Sequence, residues 1–264
     1  MSRLSFIGAG NMADAILTGV TSSLLYNASD ICISNSGCSK LVKYDALQLS
    51  TTTNNVEAAK FGDIIILAVK PQNYDEVLRE ISSVVCGKCL VSLAPGISTA
   101  HIMDLCPDAY VVRTMPNTPL LVGNGTTAVC KNEAVPNEIF ENVLKIFSCS
   151  GKVFIVPEDK MNEIIAVSGS SPAFFFRFVQ SIVDSAASLG IDSDTALAMA
   201  ANTMLGSAFM LLNSGRSAAD LVEQVSSRGG TTVAALSAFD DYHFENMVNE
   251  AVLRCTKRAY ELGK

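Results

Sequence analysis

Three features of the chain predict an α/β protein with an N-terminal, mostly parallel sheet followed by an all-helical C-terminal domain. A Gly-rich turn stands between a strand-like and a helix-like run at residues 3–17. Short apolar runs of strand length then alternate with helical patterns as far as Val156, and beyond Pro157 the alternation stops and the remainder reads as helix. Such alternation belongs to parallel sheets, because parallel neighbours need a crossover that a helix supplies. Pro157 marks the boundary between residues 1–157 and 158–264, and 264 residues are enough for two modest domains.

Residues 3–7 (Arg-Leu-Ser-Phe-Ile) read as a buried strand, and Gly8-Ala9-Gly10-Asn11-Met12-Ala13 follows at once, opening a helix through Leu17. This is a dinucleotide-binding fingerprint and makes the domain Rossmann-like. Gly8 permits the tight turn, Gly10 lets a pyrophosphate reach the backbone, and Ala13 lets helix and strand pack closely. The second strand, residues 30–34, should end beside the adenosine ribose, where NAD-specific proteins usually carry an acid. Here stand Ser34, Asn35, Ser36 and Gly37, with Lys40 just beyond and Asp30 at the wrong end. A carboxylate would repel a 2′-phosphate, whereas hydroxyl, amide and ammonium groups donate to it. NADPH is therefore expected, with NADH possible because no arginine is present to clamp the phosphate. The alternative for residues 34–40 is a polar loop that caps the next helix.

A helix is expected over residues 39–47, and Asn54-Asn55 opens another. Residues 63–69 (Asp-Ile-Ile-Ile-Leu-Ala-Val) are a strand buried on both faces, ending in Lys70-Pro71-Gln72. Residues 90–93 with Ala94-Pro95-Gly96, and 110–113 with Thr114-Met115-Pro116-Asn117-Thr118-Pro119, repeat the plan. Three strands thus end in polar or Gly/Pro/Asn punctuation on the edge where open α/β sheets bind ligands. Residues 126–130 and 152–156 are further strands, separated by a helix over 137–147.

In the helical part, residues 173–187 and 195–212 are apolar nearly all round. A surface helix of a small monomer would not be. Arg177, Gln180 and Asp184 interrupt one run and Asn202, Thr203 and Ser207 the other, so burial between two copies is expected rather than a membrane span. A net charge of −7 argues against nucleic acid or an anionic membrane and points to a small-molecule partner. Eight scattered cysteines and a start without a secretory apolar run suit the reducing cytoplasm. Cys86-Gly87-Lys88-Cys89 has redox or zinc spacing but lacks a second pair or a nearby histidine, and no metal site is expected.

At Ser226-Ser227-Arg228-Gly229-Gly230-Thr231-Thr232, small residues and hydroxyls run straight into the helical pattern that starts at Val233. Unpaired N–H groups at a helix N-terminus, backed by the helix dipole, form a socket for a small anion. Gly229 and Gly230 allow close approach, and the hydroxyls of Ser227, Thr231 and Thr232 can bond a polar group attached to the anion. The alternative is an ordinary Gly-containing turn with a Ser/Thr cap. His101 and His243 are the only histidines, and both read as surface or capping residues.

With these residues assembled, the chain resembles the pyrroline-5-carboxylate reductases over nearly its whole length. The resemblance is carried by Gly8-Ala-Gly-Asn-Met-Ala13, Ala68-Val69-Lys70-Pro71, Arg113-Thr-Met-Pro-Asn-Thr-Pro119, Ser168-Gly-Ser-Ser-Pro-Ala173 and the signature from Ser226 to Asp240. It implies NAD(P)H-dependent reduction of a cyclic imine to proline by a homodimer, often assembled into decamers. The cofactor of one subunit would lie near helical-domain residues of its partner. Carried across by position, Gly8 to Met12, Asn35, Asn55 and the run Ala68 to Pro71 line the dinucleotide, with Ser36 at its ribose end and Asn117 able to fix the carboxamide. Glu158, Thr231 and Thr232 meet the substrate. Thr232 Oγ orients the ring nitrogen and can relay a proton through water. Asn117 has a second reading as a turn residue, Glu158 as the start of a helix, and Lys70 as a proton donor. The family usually has glycine at Ser171, proline at Arg228 and, in some members, asparagine at Gln224. Two other readings stand beside this one, a reductase of another imine or keto acid in the β-hydroxyacid dehydrogenase-like superfamily and a non-catalytic NADPH sensor.

Overall fold

The computed structural model describes residues 2–263. Its elements run β1 (Leu4–Ile7), α1 (Asn11–Ser22), β2 (Ile31–Ser34), α2 (Val42–Asp45), β3 (Ser50–Thr52), α3 (Asn55–Phe61), β4 (Ile64–Leu67), α4 (Tyr74–Ile81), β5 (Cys89–Ser92), α5 (Thr99–Leu105) and β6 (Tyr110–Met115). They continue with β7 (Gly125–Lys131), α6 (Asn137–Ser148), β8 (Gly151–Ile155), α7 (Met161–Ile164), α8 (Ser171–Ser188), α9 (Ser193–Asn213), α10 (Ala218–Val225), α11 (Thr231–Asp241) and α12 (Phe244–Leu262).

The expected α/β class, a mostly parallel sheet followed by helices, is what the chain adopts. The sheet has eight strands in the order β3-β2-β1-β4-β5-β6-β7-β8. Parallel pairing holds from β3 to β6, and the turn Thr118–Val122 with left-handed Gly123 sends β7 back antiparallel to β6. Of the six inner strands, β1, β2, β4 and β5 are buried at every position, which is why they read as largely apolar runs. Strand order reverses between β1 and β4, where Ile7 stands opposite both Ser34 and Leu67. That switch point opens the crevice in which such sheets take ligands.

The region after β2 departs from the expected single helix. Residues 39–47 divide into a 3₁₀ turn at Cys38–Lys40 and the four-residue α2. The polar strand β3 then adds to the sheet edge, half-exposed and without the apolar run that would betray it in sequence.

The chain forms two compact units, one reaching to Pro172 and including residues from Arg254 onward, the other Ala173–Leu253. Within the first, Met161 and Ile165 pack with Met115, Ala128, Cys130 and Ala259. A π-helical turn, Ile165–Gly169, follows α7. The second unit is helical and buries little of its own apolar surface. Val179, Val183 and Ala196 form its small core, while Phe176, Leu205, Phe209 and Leu212 stand 66%, 56%, 59% and 81% exposed. Of the described helices, α9 is long and apolar enough to cross a membrane.

Candidate active site

In the sheet unit the site begins at the turn between β1 and α1. Gly8 has φ +104°, and its N–H bonds the carbonyl of Ser34 at 2.9 Å. A Cβ there would lie 2.6 Å from the Ala68 carbonyl oxygen, so β4 approaches closely enough to demand glycine. Gly10 differs. Its backbone is extended, a Cβ would meet nothing within 4 Å, and no side chain caps the helix it begins. The first-turn N–H groups of α1 therefore have no capping side chain at the positive end of a 12-residue helix. Asn35 stitches the end of β2 to this turn, its Oδ1 accepting from Ala9 N at 3.3 Å while Nδ2 donates to the Gly37 carbonyl. Gly8, Ala9, Gly10, Asn35 and Ala68 are thus brought together. Ala68 and Val69 are half-buried where β4 ends, and exposed Lys70 precedes the 3₁₀ turn that Pro71 begins.

Beyond β2, buried Ser34 donates to Asn55 Oδ1 at 2.8 Å, and Asn55 Nδ2 donates to Glu80 Oε2 at 2.7 Å. Ser36 and Lys40, which follow β2 in the chain, are exposed. Lys43, the next cation, is held by Asp14 at 2.6 Å.

A residue that sequence reasoning missed holds the next strand ends in place. Fully buried Tyr74 donates to the Leu67 carbonyl at 2.8 Å and accepts from Leu93 N at 3.1 Å, tying the ends of β4 and β5. Burial pushes its phenol up to about 12. Its only signal was an aromatic in the first turn after Lys70-Pro71.

Asn117 is 7% exposed and spends both ends of its amide inside the protein, Nδ2 on the Ser168 carbonyl at 3.0 Å and Oδ1 on Thr126 N at 2.8 Å. Glu158 is similarly committed. Its oxygens accept from the Thr99 N–H at 2.6 Å and hydroxyl at 2.5 Å, capping α5, and Arg113 Nη1 lies 3.8 Å away. Arg113 is buried and also reaches Asn162 at 2.7 Å; desolvation draws its pKa below the ordinary value, and the nearby Glu158 carboxylate opposes that shift.

In the helical unit, residues 227–232 form a tight turn in which Gly230 N bonds the Ser227 carbonyl at 2.9 Å and Gly229 takes φ +73°. Gly230 begins α11 without a side-chain cap, as Gly10 begins α1. Asn54, Ser98, Asp192 and Ser217 cap α3, α5, α9 and α10, whereas α4 and α6 also lack a side-chain cap but begin behind Asn73 and Pro136 rather than glycine. Ser227, Arg228, Gly229 and Thr231 are exposed around this terminus and Thr232 is half-buried. Ser171 turns its hydroxyl to the Val167 carbonyl at 2.7 Å, within the backbone break that the π-helical turn makes.

Neither histidine is placed for proton transfer in these two sites. His101 pairs with Asp75 at 2.7 Å, and His243 has φ +53° ahead of α12. Among the described residues no group of three or more His, Cys, Asp or Glu could hold a metal.

Two family profiles match the chain. One, described as pyrroline-5-carboxylate reductase dimerisation, covers residues 158–262, and one described as NADP oxidoreductase coenzyme F420-dependent covers residues 3–96. A pyrroline-5-carboxylate reductase of Haemophilus influenzae is 36% identical, over 98% of this chain and 97% of its own. Among solved structures, the Plasmodium falciparum pyrroline carboxylate reductase with NADP bound superposes with a TM-score of 0.93 at 26% identity, covering 100% of this chain and 98% of its own. The Coxiella burnetii pyrroline-5-carboxylate reductase gives 0.90 at 32% identity, covering 100% and 99%.

Proposed function

The chain belongs to the pyrroline-5-carboxylate reductase family, and from that premise we propose that it reduces the C=N bond of 1-pyrroline-5-carboxylate to give L-proline, the last step of proline biosynthesis, with NADPH as donor and NADH as an alternative. The observation that carries this reading is the presence in one chain of two uncapped, glycine-led helix N-termini, α1 behind Gly8–Gly10 and α11 behind Ser227–Gly230. Each suits an anionic group, the first a pyrophosphate and the second a carboxylate.

The residues fit a dinucleotide, since the space that a Cβ at Gly10 would fill is open and edged by free N–H donors. Gly8 to Met12 would hold the pyrophosphate, with Asn35, Ser36 and Asn55 at the ribose end and Ala68 to Pro71 along β4's edge. When bound, the nicotinamide supplies the hydride. Asn117 positions this wall by joining residues 126 and 168.

The turn at Ser227, Gly229, Gly230 and Thr231 binds the substrate carboxylate. Thr232 Oγ meets the ring nitrogen and orients the imine. A protonated imine is already electrophilic, so positioning and charge neutralisation are the main tasks and no strong general acid is needed. Glu158 serves the substrate end by fixing the start of α5.

We assign residues 1–157 to cofactor binding and 158–264 to dimerisation and substrate binding. The exposed apolar faces of α8 and α9 are covered by a second copy, as the dimerisation profile over residues 158–262 supports, and dimers assemble into a decamer. The protein works in the cytoplasm and binds neither nucleic acid nor membrane, in keeping with its net charge of −7. The test is loss of nicotinamide absorbance when purified protein meets NADPH or NADH, with and without the imine. Oxidation only with the imine is expected; cofactor binding without oxidation overturns the reading.

A further inference from the structure

β2 ends without the acid that would select a ribose hydroxyl, yet a carboxylate reaches that end of the sheet from another element. Glu80, in the last turn of α4, accepts from Asn55 Nδ2 at 2.7 Å, and Asn55 Oδ1 in turn accepts from Ser34 at 2.8 Å. The chain of donors has one direction. Reversing the Asn55 amide would turn its oxygen onto the Glu80 carboxylate and leave Ser34 only the longer contact to the Phe6 carbonyl at 3.4 Å, so the carboxylate sets the amide's orientation. Several polar groups at this end of the sheet are already engaged. Asn35 is divided between Ala9 and Gly37, Lys43 is neutralised by Asp14, and Glu57 accepts from Thr52 at 2.5 Å. Glu80 is exposed, and removing it opens no cavity.

We propose that Glu80 is a positioning and specificity residue for the cofactor: through Asn55 it supplies, from α4, the negative charge that the end of β2 lacks, and so restrains the preference for a 2′-phosphate over a 2′-hydroxyl. This rests on the reading that Asn55 lines the ribose end of the dinucleotide. The carboxylate holds the amide oxygen on Ser34 and repels a dianionic phosphate through the field of one exposed charge. An effect of that origin is modest and salt-sensitive.

The experiment is steady-state kinetics with NADPH and NADH on wild-type, Glu80→Gln and Asn55→Ala proteins, at low salt and in 1 M KCl. Glutamine keeps an acceptor for Asn55 and removes the charge. The ratio of kcat/KM for NADPH to that for NADH should rise about threefold to tenfold in Glu80→Gln at low salt, through a lower KM for NADPH. In 1 M KCl, where the screening length is about 3 Å, the difference between wild type and variant should largely vanish. A merely structural tie between α3 and α4 would change both cofactors alike and would not respond to salt. An unchanged or lowered ratio overturns the proposal. If Asn55→Ala alters KM for the cofactors while Glu80→Gln leaves the ratio unchanged, only the role of Glu80 fails. If Asn55→Ala leaves both KM values unchanged, the placement of Asn55 at the ribose fails and the proposal with it.

Discussion

The two glycines of the first turn should respond in opposite ways to the same added methyl group. At Gly8 the methyl would sit at φ +104°, 2.6 Å from the Ala68 carbonyl oxygen and 2.8 Å from its carbon, so β4 must move. A disfavoured backbone and a clash with main chain cost about 2–4 kcal/mol together. For a domain of this size that is roughly 5–15 °C in melting temperature. At Gly10 the backbone is extended and a Cβ meets nothing within 4 Å, so Gly10→Ala should stay within about 0.5 kcal/mol of wild type in stability. The methyl instead occupies the space in front of the α1 N–H groups. Displacing a pyrophosphate from one or two charge-assisted hydrogen bonds costs about 2–4 kcal/mol, or roughly 30-fold to 1000-fold in Kd. Thermal unfolding and a fluorescence titration with NADPH measure both quantities on the same samples. A Gly10→Ala protein that binds NADPH within threefold of wild type, or a Gly8→Ala protein as stable as wild type, would refute the argument.

Further outcomes follow from the same geometry. Thr232→Ala should lower kcat about 100-fold with the Kd for NADPH within twofold, measured by turnover and titration; a non-catalytic sensor would show no such loss. Glu158→Ala leaves the Thr99 N–H and hydroxyl at the start of α5 without their acceptor and removes the ion-pair partner of Arg113, and should lower stability by about 2–4 kcal/mol in urea unfolding. Unchanged stability with a raised KM for the imine would make Glu158 a substrate ligand instead. Burial pushes the thiols of Cys32 and Cys106 up to about 11 and those of Cys89 and Cys130 up to about 12. Their folded pKa values are raised, so the stability they contribute is whole below about pH 9 and is lost as pH climbs toward 11–12. At pH 8 a thiol reagent should label exposed Cys38 and Cys86 quickly and those four only on unfolding, which timed labelling would show.

Features that depend on neighbours a few residues away were legible in the sequence. Gly8 and Gly10 between an apolar run and a helix dictate the first turn, the buried strands announce themselves as Ile64-Ile65-Ile66-Leu67, and Ser226 to Thr232 lead into α11. Backbone conformation and local periodicity carry those signals. Tertiary structure decided the rest, because the partner of a buried polar group is chosen by whatever the fold brings within 3 Å. The half-exposed β3 has no apolar face to reveal it, and it joins the sheet only because β2 offers an open edge. Tyr74 becomes the tie between β4 and β5, Glu158 finds Thr99 59 positions away, and Asn117 is divided between residues 126 and 168. Residues from Arg254 onward return to the sheet unit because Gly96, at φ +80°, lets the Ala259 carbonyl approach where a Cβ would lie 2.5 Å from it. No pattern within one segment encodes that meeting, since each glycine or polar group is explained only by the element that arrives beside it.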